Sequence, residues 1–197
     1  GLDGLAAGIV AISALEISII SSSNNHMGAS IAAIVLAGCC LGLLRYNYHP
    51  ASVLMGDGGS YFLGYNLAAL SIIGCSDIEN TGSVYNIFDF HLALIILFLP
   101  LVDMLFVIIR RIVEKKSPFY PDRKHIHHRL LKMGLDHPRT VLLLQSITLW
   151  LGSISLMLAR INLSFYWFMT LSIIILIMFL AFMKPLKDVD RGNNQFL

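Results

Sequence analysis

The stretch VLLLQSITLWLGSISLMLA at residues 141–159 contains no ionisable side chain and no proline. As an α-helix it would rise about 1.5 Å per residue, which brings it close to the ~30 Å of a bilayer's hydrocarbon core. Five other apolar stretches accompany it, at residues 4–20, 30–44, 60–74, 90–109 and 164–183. Those at 90–109 and 164–183 are long enough to span. Those at 30–44 and 60–74 must draw on flanking residues or start below the lipid surface, where protein shields the loop. Little polar sequence is left to cover six such segments in water, since 56% of the 197 residues are hydrophobic and 13% are charged. The mean hydropathy is +0.73. An ordinary soluble domain is excluded, and so is disorder, which needs low hydrophobicity and high charge. The expectation is an all-α, polytopic helical membrane protein with six transmembrane helices. Residues 1–183 would form one membrane-embedded unit and 184–197 a polar cytoplasmic tail.

Charge placement sets the orientation. If the segments alternate from a cytoplasmic N-terminus, every one of the 14 lysines and arginines except Arg160 falls on the inner side, as the positive-inside rule requires. Most of them lie in a basic cytoplasmic loop at 110–140. Nothing in this distribution calls for nucleic acid. Cys39, Cys40 and Cys75 have neither a disulfide nor a zinc spacing and read as packing residues. Phe165, Tyr166, Trp167 and Phe168 read as an interfacial aromatic belt. Glu16 is expected to snorkel or cap near the outer end of the first helix. His26, His49, His91 and His137 are isolated in sequence and are assigned to interfaces.

Three stretches can carry chemistry. In Gly1-Leu2-Asp3-Gly4-Leu5-Ala6, Asp3 is either a helix N-cap or a functional carboxylate at the inner mouth of the first helix. In Met55-Gly56-Asp57-Gly58-Gly59-Ser60, the glycines permit close backbone approach and a helix N-terminus offers N–H groups to a phosphate. Asp57 would repel that phosphate unless a divalent cation such as Mg²⁺ joins the two. A plain capping turn is the alternative. The third stretch, Ser117 onward, reads SPFYPDRKHIHHRLLKMG. Asp122 as N-cap and Gly134 as C′ residue predict a short amphipathic helix. On a helical wheel Ile126, Leu130 and Met133 share the face turned to protein or lipid. His125, His128, Arg129 and Lys132 share a neighbouring face suited to a diphosphate, and His127 points elsewhere. Zinc suits steps of two and three less well than a four-residue step. Attraction to anionic lipid would explain the basic residues, though not three histidines. Asp103, seven residues before Arg110, can form an ion pair with it.

Together these motifs resemble the polyprenyl-phosphate N-acetylhexosamine-1-phosphate transferases of glycosyltransferase family 4, to which the phospho-MurNAc-pentapeptide translocase is related. Gly1 to Ala6 match the latter part of that family's DGLDGLA stretch, with Asp3 as the second aspartate. Pro50 and Met55 to Ser60 match PxxxxMGDxGS. Pro100, Leu101, Asp103, Arg110 and Arg111 match the PLxD and RR pattern, and Ser117 to Leu130 match SPFxPDRxHIHHRL. The resemblance implies an Mg²⁺-dependent enzyme, with Mn²⁺ as the alternative ion. It would transfer N-acetylglucosamine 1-phosphate, or a related N-acetylhexosamine 1-phosphate, from a UDP-sugar to undecaprenyl phosphate, releasing UMP and starting cell-envelope polysaccharide synthesis. Asp57 would hold the metal, and Asp3, His125, His127 and His128 would be catalytic. Gly58, Gly59, Ser60, Arg123, Arg129 and Lys132 would bind substrate. The enzyme would sit among the lipids of the bacterial cytoplasmic membrane with its site on the cytoplasmic face, and a homodimer is compatible with the pattern. The family's paired-aspartate motif would lie before Gly1, so the chain is expected to be the C-terminal half of the enzyme, inactive alone. A transporter would instead place ionisable groups near mid-membrane. The remaining rival is a catalytically incomplete membrane remnant.

The topology predicts that single cysteines replacing Ser83 and Ser117, in a chain without the native three, are labelled by an impermeant thiol reagent from opposite sides of the membrane. Labelling of both from outside would end the orientation and the grouping of the three stretches on one face.

Overall fold

A computed structural model of the chain describes residues 2–76, 90–115 and 125–159. The described residues form seven helices and no strand: α1 (Leu5–Ser23), α2 (Met27–Asn47), α3 (Gly56–Cys75), α4 (Phe90–Ile96), α5 (Phe98–Val113), α6 (Ile126–Lys132) and α7 (His137–Leu158). Three of them, α1, α2 and α7, are long and apolar enough to cross a membrane. The expected sixth span, the aromatic belt and the tail lie outside the described residues, as do Arg123 and residues 77–89 and 116–124.

Helix α1 lies at the centre and packs on α2, α3, α4 and α7. Its sequence explains this place. Ala7, Gly8, Ala11, Ser13, Ala14 and Ser21 are all buried, and small side chains let helix backbones approach closely where no hydrophobic force between helices is available. Larger residues, Ile17 and Ile20, fill the core with Leu36 of α2, Leu67 of α3 and Ile96 of α4. At three crossings one partner is glycine. A Cβ on Gly8 would collide with the Gln145 amide, one on Gly74 with the Ser21 hydroxyl, and one on Gly152 with the Glu16 carboxylate.

The helices alternate in direction, so the bundle has two distinct ends. At one, the Gly4 N–H donates to Asn47 Oδ1 at 3.1 Å and the Gln145 amide donates to Gly4 O at 3.2 Å. Gly4 has φ +74°, a conformation open to glycine and costly for other residues. At the other end, Asn24 donates to Gly74 O, His26 Nε2 lies 2.8 Å from Ser76 O, and the Ser155 hydroxyl donates to Leu92 O.

Two expectations need correction. The predicted continuous helix at 90–109 breaks at Leu97 into α4 and α5. Pro100 is the cause: it has no N–H for the Ile96 carbonyl, and its ring crowds that carbonyl. Glu16 neither snorkels nor caps. It is 3% exposed, lies against Gly152, and neither carboxyl oxygen has a hydrogen-bond partner among the described residues. Of the cysteines read as packing residues, Cys40 and Cys75 are buried and Cys39 is exposed.

Because the Glu16 carboxyl is fully enclosed, it has no room to yield to a larger residue at position 152. Gly152→Val is therefore expected to destabilise the detergent-solubilised protein by roughly 1–3 kcal/mol, the usual cost of overpacking. Glu16→Ala in that background should restore part of the loss in thermal unfolding.

A candidate polar site at one end of the bundle

A cavity of about 820 Å³ opens between α1, α3, α5 and α6. Its walls are mostly apolar, with Leu5 and Ile9 from α1, Leu63 and Leu67 from α3, and Met104 and Val107 from α5. The polar lining comes from Ser60, Asp103, Arg111, His125 and His127.

The histidine stretch is fixed to this wall by Asp103. One carboxylate oxygen accepts from the Ile126 backbone N–H at 2.8 Å and the other from His125 Nδ1 at 3.0 Å. The aspartate of α5 thus does for α6 what Asp122 was expected to do, satisfying an orphan N–H of its first turn. Asp103 is not paired with Arg110, which instead meets Glu114 one turn on at 3.0 Å. The end of α6 follows the sequence reading. Gly134 has φ +94°, its N–H donates to Leu131 O, and the Leu135 N–H donates to Leu130 O, the two bonds of a Schellman turn.

The wheel placement of the histidines does not survive. His125 is the N-cap, with ψ 163°, so it stands outside the helical phase. Its ring stacks on that of His127, with centroids 5.5 Å apart and planes 5° from parallel. His127 is buried and lines the cavity with His125 instead of pointing away. The Arg129 guanidinium lies over the Phe106 ring, 4.6 Å from its centroid, a cation–π contact that ties α6 to α5. Ile126 faces the cavity, whereas Met133, expected on the same face, is 79% exposed. The backbones of His128 and Lys132 belong to α6, and their side chains lie outside the described residues.

Neither Asp3 nor Asp57 caps its helix. Asp57 sits exposed in the first turn of α3, and among the described residues only its carbonyl is engaged, by the Ser60 hydroxyl at 2.9 Å. No described residue bonds the carboxylate, a setting that suits Mg²⁺, which keeps several waters and binds through one or two carboxylates and substrate phosphates. Gly58 has open space where a Cβ would be, and Gly59 packs on Met55. Asp3 Oδ2 accepts from His49 Nδ1 at 3.1 Å and from the Ala51 N–H at 3.3 Å. The His49 hydrogen bond holds the Asp3 carboxyl below its ordinary range, against a smaller opposing effect of burial, so Asp3 is ionised at neutral pH. Neither aspartate lines the cavity, but their neighbours Leu2, Met55 and Ser60 do.

Sequence reasoning missed two residues here. His49 and His137 were assigned to interfaces, yet their rings lie 4.9 Å apart beside Asp3. The signal was present in the topology, which puts the start of α1, the end of α2 and the start of α7 on one side.

Residues 1–75 match the profile described as glycosyl transferase family 4. A "Decaprenyl-phosphate N-acetylglucosaminephosphotransferase" of Mycobacterium leprae is 41% identical over 168 residues, 79% of this chain and 42% of that protein. A "Probable undecaprenyl-phosphate N-acetylglucosaminyl 1-phosphate transferase" of Bacillus subtilis is 37% identical over 195 residues, 99% of this chain and 51% of that protein. A "Phospho-N-acetylmuramoyl-pentapeptide-transferase" of Caldicellulosiruptor bescii is 49% identical over 75 residues, 37% of this chain and 23% of that protein. The chain spans about half the length of the longer-matching relatives. Residues 1–75 thus carry the profile of glycosyl transferase family 4, and the likeness to polyprenyl-phosphate sugar-phosphate transferases runs along most of the chain.

Proposed function

We propose that the protein takes part in transfer of N-acetylglucosamine 1-phosphate, or a related N-acetylhexosamine 1-phosphate, from a UDP-sugar to a polyprenyl phosphate such as undecaprenyl phosphate. The observation that carries this reading is the cavity: apolar along most of its wall and furnished at Asp103, Arg111, His125 and His127 with polar and basic groups. That lining suits a prenyl chain ending in a phosphate. The names of the relatives support the same substrate class.

In the proposed reaction an oxygen of the lipid phosphate attacks the phosphorus that carries the sugar. The bond from that phosphorus to UMP breaks, giving a lipid-linked sugar diphosphate. Both substrates are anions, so the protein's work is positioning and cancelling charge. Asp57 would hold Mg²⁺, or Mn²⁺, which supplies positive charge between the phosphates. Gly58 and Gly59 leave the backbone at the start of α3 open to a phosphate, with Ser60 beside them. His125, His127, His128 and Arg129, with Arg123 and Lys132, would hold the nucleotide diphosphate, and Asp3 would stand at the same end of the bundle. Asp103 is a positioning residue, acting through His125 and the first turn of α6. The site would face the cytoplasm from the bacterial inner membrane.

In the full-length protein, Asp57→Asn is expected to keep the fold and abolish Mg²⁺-dependent transfer of labelled sugar phosphate to polyprenyl phosphate; near-normal transfer would overturn the metal role. His125→Ala and His127→Ala should each weaken use of the UDP-sugar roughly tenfold to a hundredfold, equivalent to about 1.5–3 kcal/mol for a charge-assisted hydrogen bond. An effect at His125 alone would contradict the shared placement of the two rings.

Asp103→Ala should act through α6. Losing its two hydrogen bonds is expected to raise hydrogen exchange at residues 126–130 by about tenfold or more while exchange in α1 is unchanged. The same variant should raise KM for the UDP-sugar more than it lowers kcat.

A further inference from the structure

Asp3 precedes α1, His49 follows α2 and His137 is the first residue of α7. One ligand atom from each lies within 4.8 Å of the other two. We propose that these three side chains bind a borderline transition-metal ion of the Zn²⁺ type, clamping the ends of α1, α2 and α7 at a site separate from Asp57. The proposal does not depend on the transferase reading, because its readout is metal binding.

The donor set selects the ion. Two imidazoles and one carboxylate suit Zn²⁺, Ni²⁺ or Co²⁺, whereas Mg²⁺ demands oxygen ligands and octahedral geometry. The three groups lie at the ends of the apolar helices, with His137 the first residue of its span, and the His49 side chain is 42% exposed, so a hydrated ion can reach them. Around a tetrahedral Zn²⁺ with bonds of about 2.0–2.1 Å, ligand atoms are about 3.3 Å apart. The Asp3–His49 pair is already at 3.1 Å. Closing the rest takes a shift of no more than about 1.5 Å between side chains at helix ends, of which His49 is exposed and Asp3 and His137 are half-buried.

A plain hydrogen-bonded network explains only part of this arrangement. It accounts for His49 and Asp3, whose atoms are mutually bonded. It leaves His137 Nδ1 buried and without a hydrogen-bond partner among the described residues, and a buried polar nitrogen in that state carries a desolvation cost. Metal binding gathers both imidazoles and the carboxylate around one ion. Coordination through His49 Nδ1 needs that nitrogen's lone pair, so the ring proton would reside on Nε2, and a water can complete the tetrahedron.

The test uses the full chain in detergent, stripped of metal with a chelator and titrated with Zn²⁺ against a chromophoric competitor, then with Co²⁺ to record its visible d–d bands. The expected result is one tightly held Zn²⁺ per chain that millimolar Mg²⁺ does not displace, and Co²⁺ bands of four- or five-coordinate intensity. His49→Ala and His137→Ala should each weaken binding by at least about tenfold, and Asp57→Asn should leave it unchanged. His49→Gln and His137→Gln, which keep polarity and approximate size, guard against loss of fold and should weaken binding equally. Absence of competitor-resistant Zn²⁺ in the parent, or binding that survives the histidine substitutions in folded protein, would overturn the proposal.

Discussion

The close approach of helices around α1 is the constraint on which the rest of the structure depends. It is made of absences: no side chain at Gly8 where the Gln145 amide sits, none at Gly74 beside Ser21, none at Gly152 beside Glu16. Inside a bilayer lipid tails are as apolar as leucine, so helices gain little by merely exchanging lipid for one another. What they gain is packing and hydrogen bonds, and both require backbones near enough to touch. Gln145 illustrates the coupling. Its amide can reach the Gly4 carbonyl because Gly8 has cleared the path, and Gly4 in turn is turned by its positive φ to give its N–H to Asn47. One glycine crossing thereby fixes the relative positions of α1, α2 and α7 at the end where the ionisable groups collect.

Much of this was legible in the sequence, and the reasons differ by element. The apolar runs at 4–20, 30–44 and 141–159 became α1, α2 and α7 with modest extension, because a long apolar run with at most one ionisable residue has few alternatives to a helix. The turn after α6 was legible because Gly134 is a local signal that needs no partner. The break at Leu97 was also written locally, in Pro100, but the apolar periodicity on either side concealed it. Glu16 shows the opposite case. Its burial depends on Gly152, more than a hundred residues away in the chain, and no local pattern announces such a pair.

The same distinction runs through the candidate site. A helical wheel treats every residue of SPFYPDRKHIHHRLLKMG as if the helix already existed. The helix in fact begins at Ile126, one residue after His125, because Asp103 reaches across from α5 to take the Ile126 N–H and the His125 ring together. That tertiary bond takes His125 out of the helical phase and sets it parallel to His127. His49 and His137 were isolated in sequence for a related reason: His49 follows the end of α2 and His137 begins α7, and only the alternation of α1, α2 and α7 brings those ends together.

Asp3, Asp57 and Asp103, all at this end of the bundle, are put to different uses by what meets them. Asp103 is spent on the first turn of α6 and on His125. Asp3 accepts from His49 and Ala51, which holds it ionised and engages one of its oxygens. Asp57 receives no hydrogen bond on its carboxylate from the described residues and stands exposed at the first turn of α3. A cation that must also carry waters and phosphate oxygens needs a carboxylate with its lone pairs uncommitted and with room around it. Among the three, only Asp57 offers both. The division of labour proposed for them therefore follows from which carboxylates the fold has already satisfied.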